Sequence, residues 1–249
     1  MQRYFAPYSV TKEAFGITGE DYRHIIKVMR MKEDDQIICV AEDHKAALCM
    51  ITNISDEIVT AQVVQWLEES VELPIEVTIV SGLPKGDKLD LIIQKGTELG
   101  AHKFIPFIAT RSIVKWDEKK ADKKISRWQK IAKEAAEQSH RNLIPEVVSP
   151  VGLQSLIEKS DSYDIKLVAY EEVSRQGETM NLVKSLQSLE KGESLMVVFG
   201  PEGGLTAGEV EKFLDCGFIS CGLGPRILRT ETAPLYLLSA VSYQFELLR

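Results

Sequence analysis

Short apolar runs separated by polar stretches fill residues 1–70 of the chain. Residues 36–41, 46–51 and 58–64 have the composition typical of strands, and their regular spacing predicts a small β-barrel. Residues 21–31 break this pattern, because Val28 and Met29 follow Ile25 at helical spacing. This segment is predicted to be a helix that buries those three side chains. Its outward face then carries a basic row made of Arg23, Lys27 and Arg30.

After residue 74, strand-like runs alternate with helical patterns, which predicts an α/β sheet. The predicted strands cover residues 75–80, 103–108, 165–170, 195–199 and 218–223. The predicted helices cover residues 83–99, 117–139 and 232–248, and the first of them turns Lys85, Lys88 and Lys95 toward solvent or RNA. The charged stretch 68–74 ends in proline and marks a boundary, so two domains are predicted at 1–72 and 73–249.

Two glycine-rich stretches, residues 199–206 (FGPEGGLT) and 222–233 (GLGPRILRTETA), each follow an apolar strand and lead into a helix. Thr206 and Glu209 have the spacing of a capping box, which places the start of a helix at Thr206. Glu202 lies close to that helix N-terminus, where the helix dipole stabilises a carboxylate. A rigid turn with an acidic dipole partner would explain the first stretch equally well. The second is harder to explain as a plain connector, because two arginines and a glutamate crowd it.

These stretches resemble the SPOUT class of S-adenosylmethionine methyltransferases, and within it the RsmE family, which methylates N3 of a uridine in 16S ribosomal RNA. Five motifs carry the resemblance in family order: residues 24–30 (HIIKVMR), 85–88 (KGDK), 94–100 (QKGTELG), 138–142 (QSHRN) and the two glycine-rich stretches together. One departure is residues 32–35 (KEDD), where relatives often have Gly-Asp. The implied fold is an α/β SPOUT-type sheet with a C-terminal trefoil knot, at roughly residues 160–230, preceded by a PUA-like β-barrel that binds RNA.

The resemblance also implies the ligand and its site. S-adenosyl-L-methionine is expected among the knot loops, with backbone groups reading its adenine. The implied contacts are Gly200, Glu202, Gly203, Leu223, Gly224, Ile227, Leu228 and Thr232. Arg229 is the first choice for stabilising the anionic base or orienting it, while Glu231 or Glu202 would accept the N3 proton or hold Arg229. Methyl transfer from a sulfonium needs no metal, so none is expected.

The formal net charge of −7 argues against nucleic acid only until its distribution is considered. Residues 1–32 carry a net +3 and residues 111–141 a net +5, and local patches set the affinity for phosphate. Solvated helix faces would explain the same charges. Together with the resemblance they favour RNA, and the predicted RNA contacts are Arg23, Arg30, Arg111, His140, Arg141 and Asn142. The expected partner is 16S ribosomal RNA within the assembled small subunit.

Several further expectations concern assembly and location. The helix at 232–248 has more apolar surface than one packing face needs, which is consistent with a homodimer through the C-terminal domain, although core packing would explain it too. The four cysteines have no spacing typical of a metal site and are expected to be buried thiols in a reducing cytosol. The polar start of the chain does not resemble a secretion signal, and no apolar run is long enough for a membrane span. A cytoplasmic protein is expected.

Two alternative functions stay open on the sequence alone. A non-catalytic RNA-binding protein of ribosome assembly would use the barrel and the basic patches equally well, but it leaves the glycine-rich stretches without a purpose. A SPOUT methyltransferase acting on another RNA position is excluded only by the resemblance.

Overall fold

The computed structural model describes residues 1–68, 70–114, 116, 121–175, 177–178 and 180–248. The chain divides into two compact units: Met1–Glu72 with Ala136–Leu143, and Leu73–Ala135 with Ile144–Arg249. The short segment Ala136–Leu143 was not part of the first domain expected from the sequence. The predicted start of the long helix at Asp117, with Lys119 and Lys120, lies outside the described residues.

The first unit is a six-stranded mixed sheet in the order β1-β4-β5-β6-β3-β2, in which only β1 and β4 pair in parallel. Its strands are β1 (Arg3–Phe5), β2 (Tyr8–Ser9), β3 (Ala14–Ile17), β4 (Gln36–Val40), β5 (Ala46–Ile54) and β6 (Val59–Leu67). One apolar cluster draws on five of these strands, with Tyr4 and Phe15 among its largest side chains. The strands of this sheet, together with Ile25 of the helical segment between β3 and β4, therefore share one core.

The predicted helix at residues 21–31 is in fact α1 (Gly19–Arg23) continued by a π-helical turn (His24–Met29). Of its three predicted core positions only Ile25 is buried, while Val28 is 66% and Met29 37% exposed. The wider π turn changes the angle between successive residues, so a face assigned at α-helical spacing is wrong from Val28 onward. Arg23, Lys27 and Arg30 are exposed, as predicted.

The second unit is a six-stranded sheet in the order β12-β10-β11-β7-β8-β9, with every pair parallel. Its strands are β7 (Glu76–Gly82), β8 (Lys103–Phe107), β9 (Glu146–Val147), β10 (Ile165–Ala169), β11 (Ser194–Phe199) and β12 (Ile219–Cys221). Its helices are α2 (Lys88–Glu98), α4 (Leu153–Ser160), α5 (Glu171–Arg175), α6 (Asn181–Ser188), α7 (Ala207–Asp215) and α8 (Thr232–Ser242), the last continued by a π-helical turn (Tyr243–Leu247). The helix α3 (Ala121–Gln138) belongs to it as far as Ala135, and its last turn is part of the first unit.

The central strands β7 and β11 are almost fully buried, and apolar clusters lie on both faces of the sheet. This explains why their sequences are continuous apolar runs rather than alternating ones. The helix predicted from residue 83 begins only at Lys88, because Pro84 restricts the residue before it and Gly86 has a φ of +63°. The sheet matches the predicted α/β arrangement, and the trefoil knot stays a prediction. Among the described residues, no helix is long and apolar enough to cross a membrane.

Candidate functional site

The first glycine-rich stretch connects β11 to α7, and residues 200–205 are called loop 1 below. The predicted capping box is confirmed: Thr206 Oγ1 accepts from the Glu209 amide at 3.2 Å, and Glu209 Oε2 accepts from the Thr206 amide at 2.8 Å. Glu209 Oε1 also accepts from the Thr110 amide at 2.8 Å. Burial raises the pKa of the Glu209 carboxyl, but these hydrogen bonds outweigh burial and lower it below its ordinary value. The start of α7 is therefore held both by its own capping box and by the residue Thr110 after β8.

Loop 1 packs against the end of β7 so closely that only glycine fits at Gly82. A Cβ built there would lie 2.4 Å from the nitrogen of Pro201, which is closer than non-bonded atoms approach. Gly204 has a φ of +68°, which disfavours any other residue. Arg111, predicted to bind RNA, donates from Nη1 to the carbonyl oxygens of Gly203 at 3.1 Å and Leu205 at 3.3 Å. The described contacts of Arg111 therefore support loop 1.

The second glycine-rich stretch follows β12, and residues 222–231 are called loop 2. Its first amide, at Gly222, donates to Glu178 Oε2 at 2.9 Å. Glu178 Oε1 accepts from the amides of Met180 and Asn181 at the start of α6. Burial raises the pKa of the Glu178 carboxyl, while these backbone donors lower it, and the net result is below its ordinary value. One carboxylate thus ties loop 2 to the start of a helix.

The structure brings the two loops together. Thr230 Oγ1 donates to the carbonyl oxygen of Gly200 at 3.1 Å. Lys88, in the first turn of α2, donates from Nζ to Glu202 Oε1 at 2.9 Å and lies 3.4 Å from Glu231 Oε2. Lys88, which the sequence predicted to face solvent or RNA, is partly exposed, and its ammonium group lies beside one carboxylate of each loop.

The two carboxylates differ in how their oxygens are used. Glu202 Oε1 accepts both from Lys88 and from the Lys85 amide at 3.1 Å. Burial raises the pKa of the Glu202 carboxyl, but the hydrogen bonds from Lys88 and from backbone N–H groups lower it below its ordinary value. Glu231 Oε2 is buried and accepts no hydrogen bond from any described residue, and its contact with Lys88 is an ion pair at 3.4 Å.

Arg229 is exposed, and its guanidinium makes no hydrogen bond or ion pair with the described part of the chain. Its carbonyl oxygen accepts from the amides of Thr232 and Ala233, which fixes loop 2 at the start of α8. Within the described part of the chain, the Arg229 guanidinium therefore keeps its donors for another molecule.

The residues of loop 2 suit an adenine-bearing ligand. Ile227 is 70% exposed, and Leu223 and Leu228 are half-buried, so apolar side chains are available to a flat ring. The backbone N–H groups of these three residues make no hydrogen bond to any described residue. Gly224 has a φ of +89°, a conformation that disfavours any other residue. Thr232, the last predicted contact, is exposed in the first turn of α8. Free backbone donors beside apolar side chains fit S-adenosylmethionine.

The other predicted RNA contacts lie in the first unit and fall into two groups. Arg23, Arg30 and His140 are exposed. Arg141 is 3% and Asn142 7% exposed. Arg141 donates to Glu72 Oε2 from Nε at 2.9 Å and also from Nη2, while Glu72 Oε1 accepts from the Asn142 amide at 2.8 Å. These two side chains are thus enclosed by the first unit rather than presented to RNA.

Sequence reasoning did not assign Glu178, Lys88 or Thr230 to the site. Their partners are 44, 114 and 30 positions away in the chain, so no local pattern marks them. Only Lys88 carried a signal, because it lies in the KGDK motif at residues 85–88.

Comparison with known proteins agrees with the fold. A family model described as an RNA methyltransferase domain matches residues 71–242, and one described as an RNA methyltransferase PUA domain matches residues 17–64. The solved structure of a ribosomal RNA small subunit methyltransferase E from Neisseria gonorrhoeae bound to S-adenosyl methionine is similar, with a TM-score of 0.83, 29% identity and 98% of each chain covered. A methyltransferase structure from Legionella pneumophila with bound SAM has a TM-score of 0.82 at 28% identity and 96% coverage of each chain.

Fold and site together define an RNA methyltransferase with a PUA-like first unit and a SPOUT-type second unit. A ribosomal RNA small subunit methyltransferase E of Bacillus subtilis is 57% identical over 255 residues, covering 100% of this chain and 99% of the relative. One from Mycobacterium bovis is 31% identical, with 90% of this chain and 84% of the relative covered. The chain belongs to the ribosomal RNA small subunit methyltransferase E family.

Proposed function

We propose that this protein methylates N3 of a uridine in the 16S ribosomal RNA of the small ribosomal subunit, with S-adenosyl-L-methionine as the methyl donor. The observation that supports this most directly is the junction of loops 1 and 2. There Thr230 bonds to Gly200, and a free guanidinium and a buried carboxylate oxygen lie on the same loop. The names of the relatives supply the substrate class, and the SAM-bound structures supply the donor.

Binding of the donor falls to the backbone and apolar side chains of the two loops. Leu223, Ile227 and Leu228 would enclose the adenine, and the backbone amides of loop 2 would bond its ring edge. Gly200 and Gly203 have little room for a Cβ, because Gly204 and Arg111 lie against them, so these two glycines would shape loop 1 around the donor. Gly224 would leave the backbone of loop 2 open to it. Glu202 lies within loop 1, and Thr232 follows loop 2 in the first turn of α8. When bound, S-adenosylmethionine supplies a methyl group on a positively charged sulfur, so that an N3–carbon bond forms as a sulfur–carbon bond breaks.

The proton on uridine N3 must be removed as the methyl group arrives, and a carboxylate within hydrogen-bond reach can accept it. Glu231 and Glu202 are the candidates for this acceptor: Glu231 Oε2 lies 3.4 Å from the Lys88 ammonium, and Glu202 Oε1 accepts from Lys88 and from the Lys85 amide. Arg229 would donate to a uridine carbonyl oxygen and stabilise the negative charge that develops on the base. Arg229, Glu231 and Glu202 are thus the proposed catalytic group, with Glu202 acting through Lys88.

The first unit would hold the RNA. Arg23, Arg30 and His140 present exposed groups that suit phosphate oxygens. The target uridine has to be unpaired or flipped out, because N3 lies on the edge used in base pairing. Arg111, in the second unit, would contact the RNA while it keeps its hydrogen bonds to loop 1.

Assembly and location belong to the same proposal. A homodimer through the second unit is supported by exposed large side chains on α8 and the turn after it: Tyr236, Tyr243, Leu247 and Leu248. The protein would act in the cytoplasm on the assembled small subunit. We further propose that the chain between roughly residues 160 and 230 forms the trefoil knot of SPOUT enzymes.

One experiment tests the central claim. Small ribosomal subunits from a strain lacking this gene are incubated with the protein and isotope-labelled S-adenosylmethionine, and the 16S RNA is mapped by mass spectrometry. A single labelled N3-methyluridine is expected. Label at another nucleotide would refute the position, and calorimetric titration without any uptake of S-adenosylmethionine would refute the enzyme. A parallel reaction with free 16S RNA shows whether the substrate is the assembled subunit or the RNA alone.

A further inference from the structure

A cleft of about 560 Å³ opens on the first unit. Three separate stretches of the chain form it: the segment after β1, the turn between β4 and β5, and the end of β6. The residues that line it are Pro7, Tyr8, Val10, Ala41, Glu42, Asp43, Lys45 and Trp66. None of the residues proposed above to bind the donor, the target base or the RNA is among them, so the cleft has no part in the proposed methyl transfer.

Two aromatic rings form a corner of this cleft. The ring centroids of Tyr8 and Trp66 lie 5.1 Å apart, and the ring planes meet at 82°. Phe15, which is fully buried, packs against both rings at centroid distances of 5.0 Å from Tyr8 and 6.2 Å from Trp66. Trp66 is nevertheless 37% exposed. The two rings are therefore held by the core of the unit and stay accessible to another molecule.

The charged groups of the cleft have an excess of negative charge. Glu42 and Asp43 contribute two carboxylates, and Lys45 contributes one ammonium, which gives a net charge of −1. Asp43 Oδ2 lies 2.9 Å from Lys45 Nζ, so these two charges offset each other. Glu42 is exposed and makes no hydrogen bond or ion pair with any described residue. Its carboxylate is available to a ligand in the same cleft as the two rings.

An aromatic corner with an available carboxylate suits a cation. A ring face attracts a positive charge through its quadrupole, and a guanidinium also donates two parallel hydrogen bonds to a carboxylate. RNA suits the cleft less well. The net negative charge repels phosphate, and rings at 82° leave no parallel slot in which a base could stack on both. The exposed basic row of Arg23, Lys27 and Arg30 is the better surface of this unit for RNA.

We propose that this cleft binds an arginine side chain of a basic protein segment, and that the segment belongs to a protein of the small ribosomal subunit. The choice of the subunit rests on the proposed function. The guanidinium would lie in the corner formed by Tyr8 and Trp66 and donate to Glu42. Proteins bound to ribosomal RNA carry basic segments, because such segments neutralise phosphate. The first unit would thus contact RNA through its basic row and protein through its cleft.

Titration with a short peptide tests the cleft without any methyl transfer. The full-length protein, labelled with nitrogen-15, is titrated with a glycine–arginine–glycine peptide whose ends are blocked. The NMR signal of the Trp66 indole N–H, identified by its absence from Trp66→Phe, should shift and reach saturation. The same peptide with citrulline, which has nearly the shape of arginine without its charge, should leave the signal in place. Glu42→Gln should weaken arginine binding by about three- to fivefold. Glu57→Gln, at another exposed glutamate of the unit, should not change it.

A second measurement identifies the kind of partner. The affinities of the wild type, Glu42→Gln and Trp66→Ala are compared for assembled small subunits and for protein-free 16S RNA. Both variants should bind the subunits about three- to fivefold more weakly, because a cation in the cleft loses its carboxylate or its ring. Both should bind the free RNA as the wild type does. Arg30→Ala, in the basic row of the same unit, should weaken binding to both substrates and serves as the matched control.

Three results would overturn the proposal. An indole signal that does not move, or that moves equally with citrulline, would show that the cleft does not select arginine. An equal loss of affinity for subunits and free RNA would make the cleft an RNA site. Unchanged affinity for the subunits would remove the ribosomal partner. Circular dichroism identifies a Trp66→Ala protein that has not folded, and Glu42→Gln, at an exposed position, then decides the question. Failure of the proposed function is a different result, because the wild type would bind the peptide and yet transfer no methyl group to uridine.

Discussion

Arg141 and Arg229 were predicted from the sequence to act at the surface of the protein, one on RNA and the other on the target base. The structure gives them opposite environments. Arg141 is 3% exposed and is bonded to Glu72 within the first unit, where Arg3 also donates to its carbonyl oxygen at 3.0 Å. Arg229 is exposed at the junction of loops 1 and 2 and contacts no described carboxylate.

The difference shows what separates a structural arginine from a functional one. A buried guanidinium must be matched by acceptors, since an unpaired charge away from water is costly. Its donors are then used up. An exposed guanidinium on a fixed backbone keeps its donors for a ligand. Water solvates its charge until the ligand binds.

The largest expected effect is on the buried side of this comparison. Glu72→Ala leaves Arg141 buried without its carboxylate and removes the acceptor of the Asn142 amide, so the first unit should lose about 3–5 kcal/mol of unfolding free energy. Urea unfolding, with hydrogen exchange of β4 and β5 reporting the first unit, measures the loss. Glu57→Ala, an exposed glutamate of the same unit, is the control. A loss below about 1 kcal/mol would mean that the buried pair contributes little.

The next effect is on the exposed side. Arg229→Ala should lower the methylation rate by about a hundredfold or more, because a donor to the developing anion is removed. The unfolding free energy should be unchanged, since the side chain is exposed. The affinity for S-adenosylmethionine should stay within about twofold of the wild type. Single-turnover rates and calorimetry measure the two quantities, with Arg175→Ala on α5 as the control. A variant that keeps its full rate would place Arg229 outside the mechanism.

Arg111 lies between these extremes, because it is exposed and yet donates to two carbonyl oxygens of loop 1. Arg111→Ala should weaken S-adenosylmethionine binding by roughly fivefold, which corresponds to about 1 kcal/mol for lost hydrogen bonds to a binding loop. Calorimetry of the Ala and Lys variants provides the measurement. If binding is unchanged while the affinity for RNA falls, Arg111 belongs with the ligand-facing arginines instead.

The smallest expected effect concerns Glu178, the carboxylate before α6 that accepts from the first amide of loop 2. Its pKa is lowered in the folded state, so the stability it contributes is present above its ordinary value of 4.5 and is lost as the pH falls through the folded value. Glu178→Gln should therefore unfold more easily than the wild type at pH 7, and the two should converge in acid. Thermal unfolding across that range measures this, and a constant difference at every pH would contradict it.

Local patterns predicted the parts of the fold that depend on neighbours in the chain. The strands β7 and β11 and the capping box of Thr206 and Glu209 follow from runs of apolar residues and from a spacing of three. The π turn after α1 was missed, because no spacing rule anticipates a change of helical type. The partners of Lys88, Glu178 and Arg141 depend on how distant segments meet, and a single sequence does not contain that information.

The buried charges of the first unit have a consequence for how the chain is made. Glu72 and Arg3 emerge early from a translating ribosome, but their partners Arg141 and Asn142 follow about seventy residues after Glu72. During that interval Arg3 and Glu72 lack the partners that they bond in the folded unit. A fragment that ends at residue 72 would never gain these partners. The N-terminal unit of this protein is therefore built from two separate stretches of the chain.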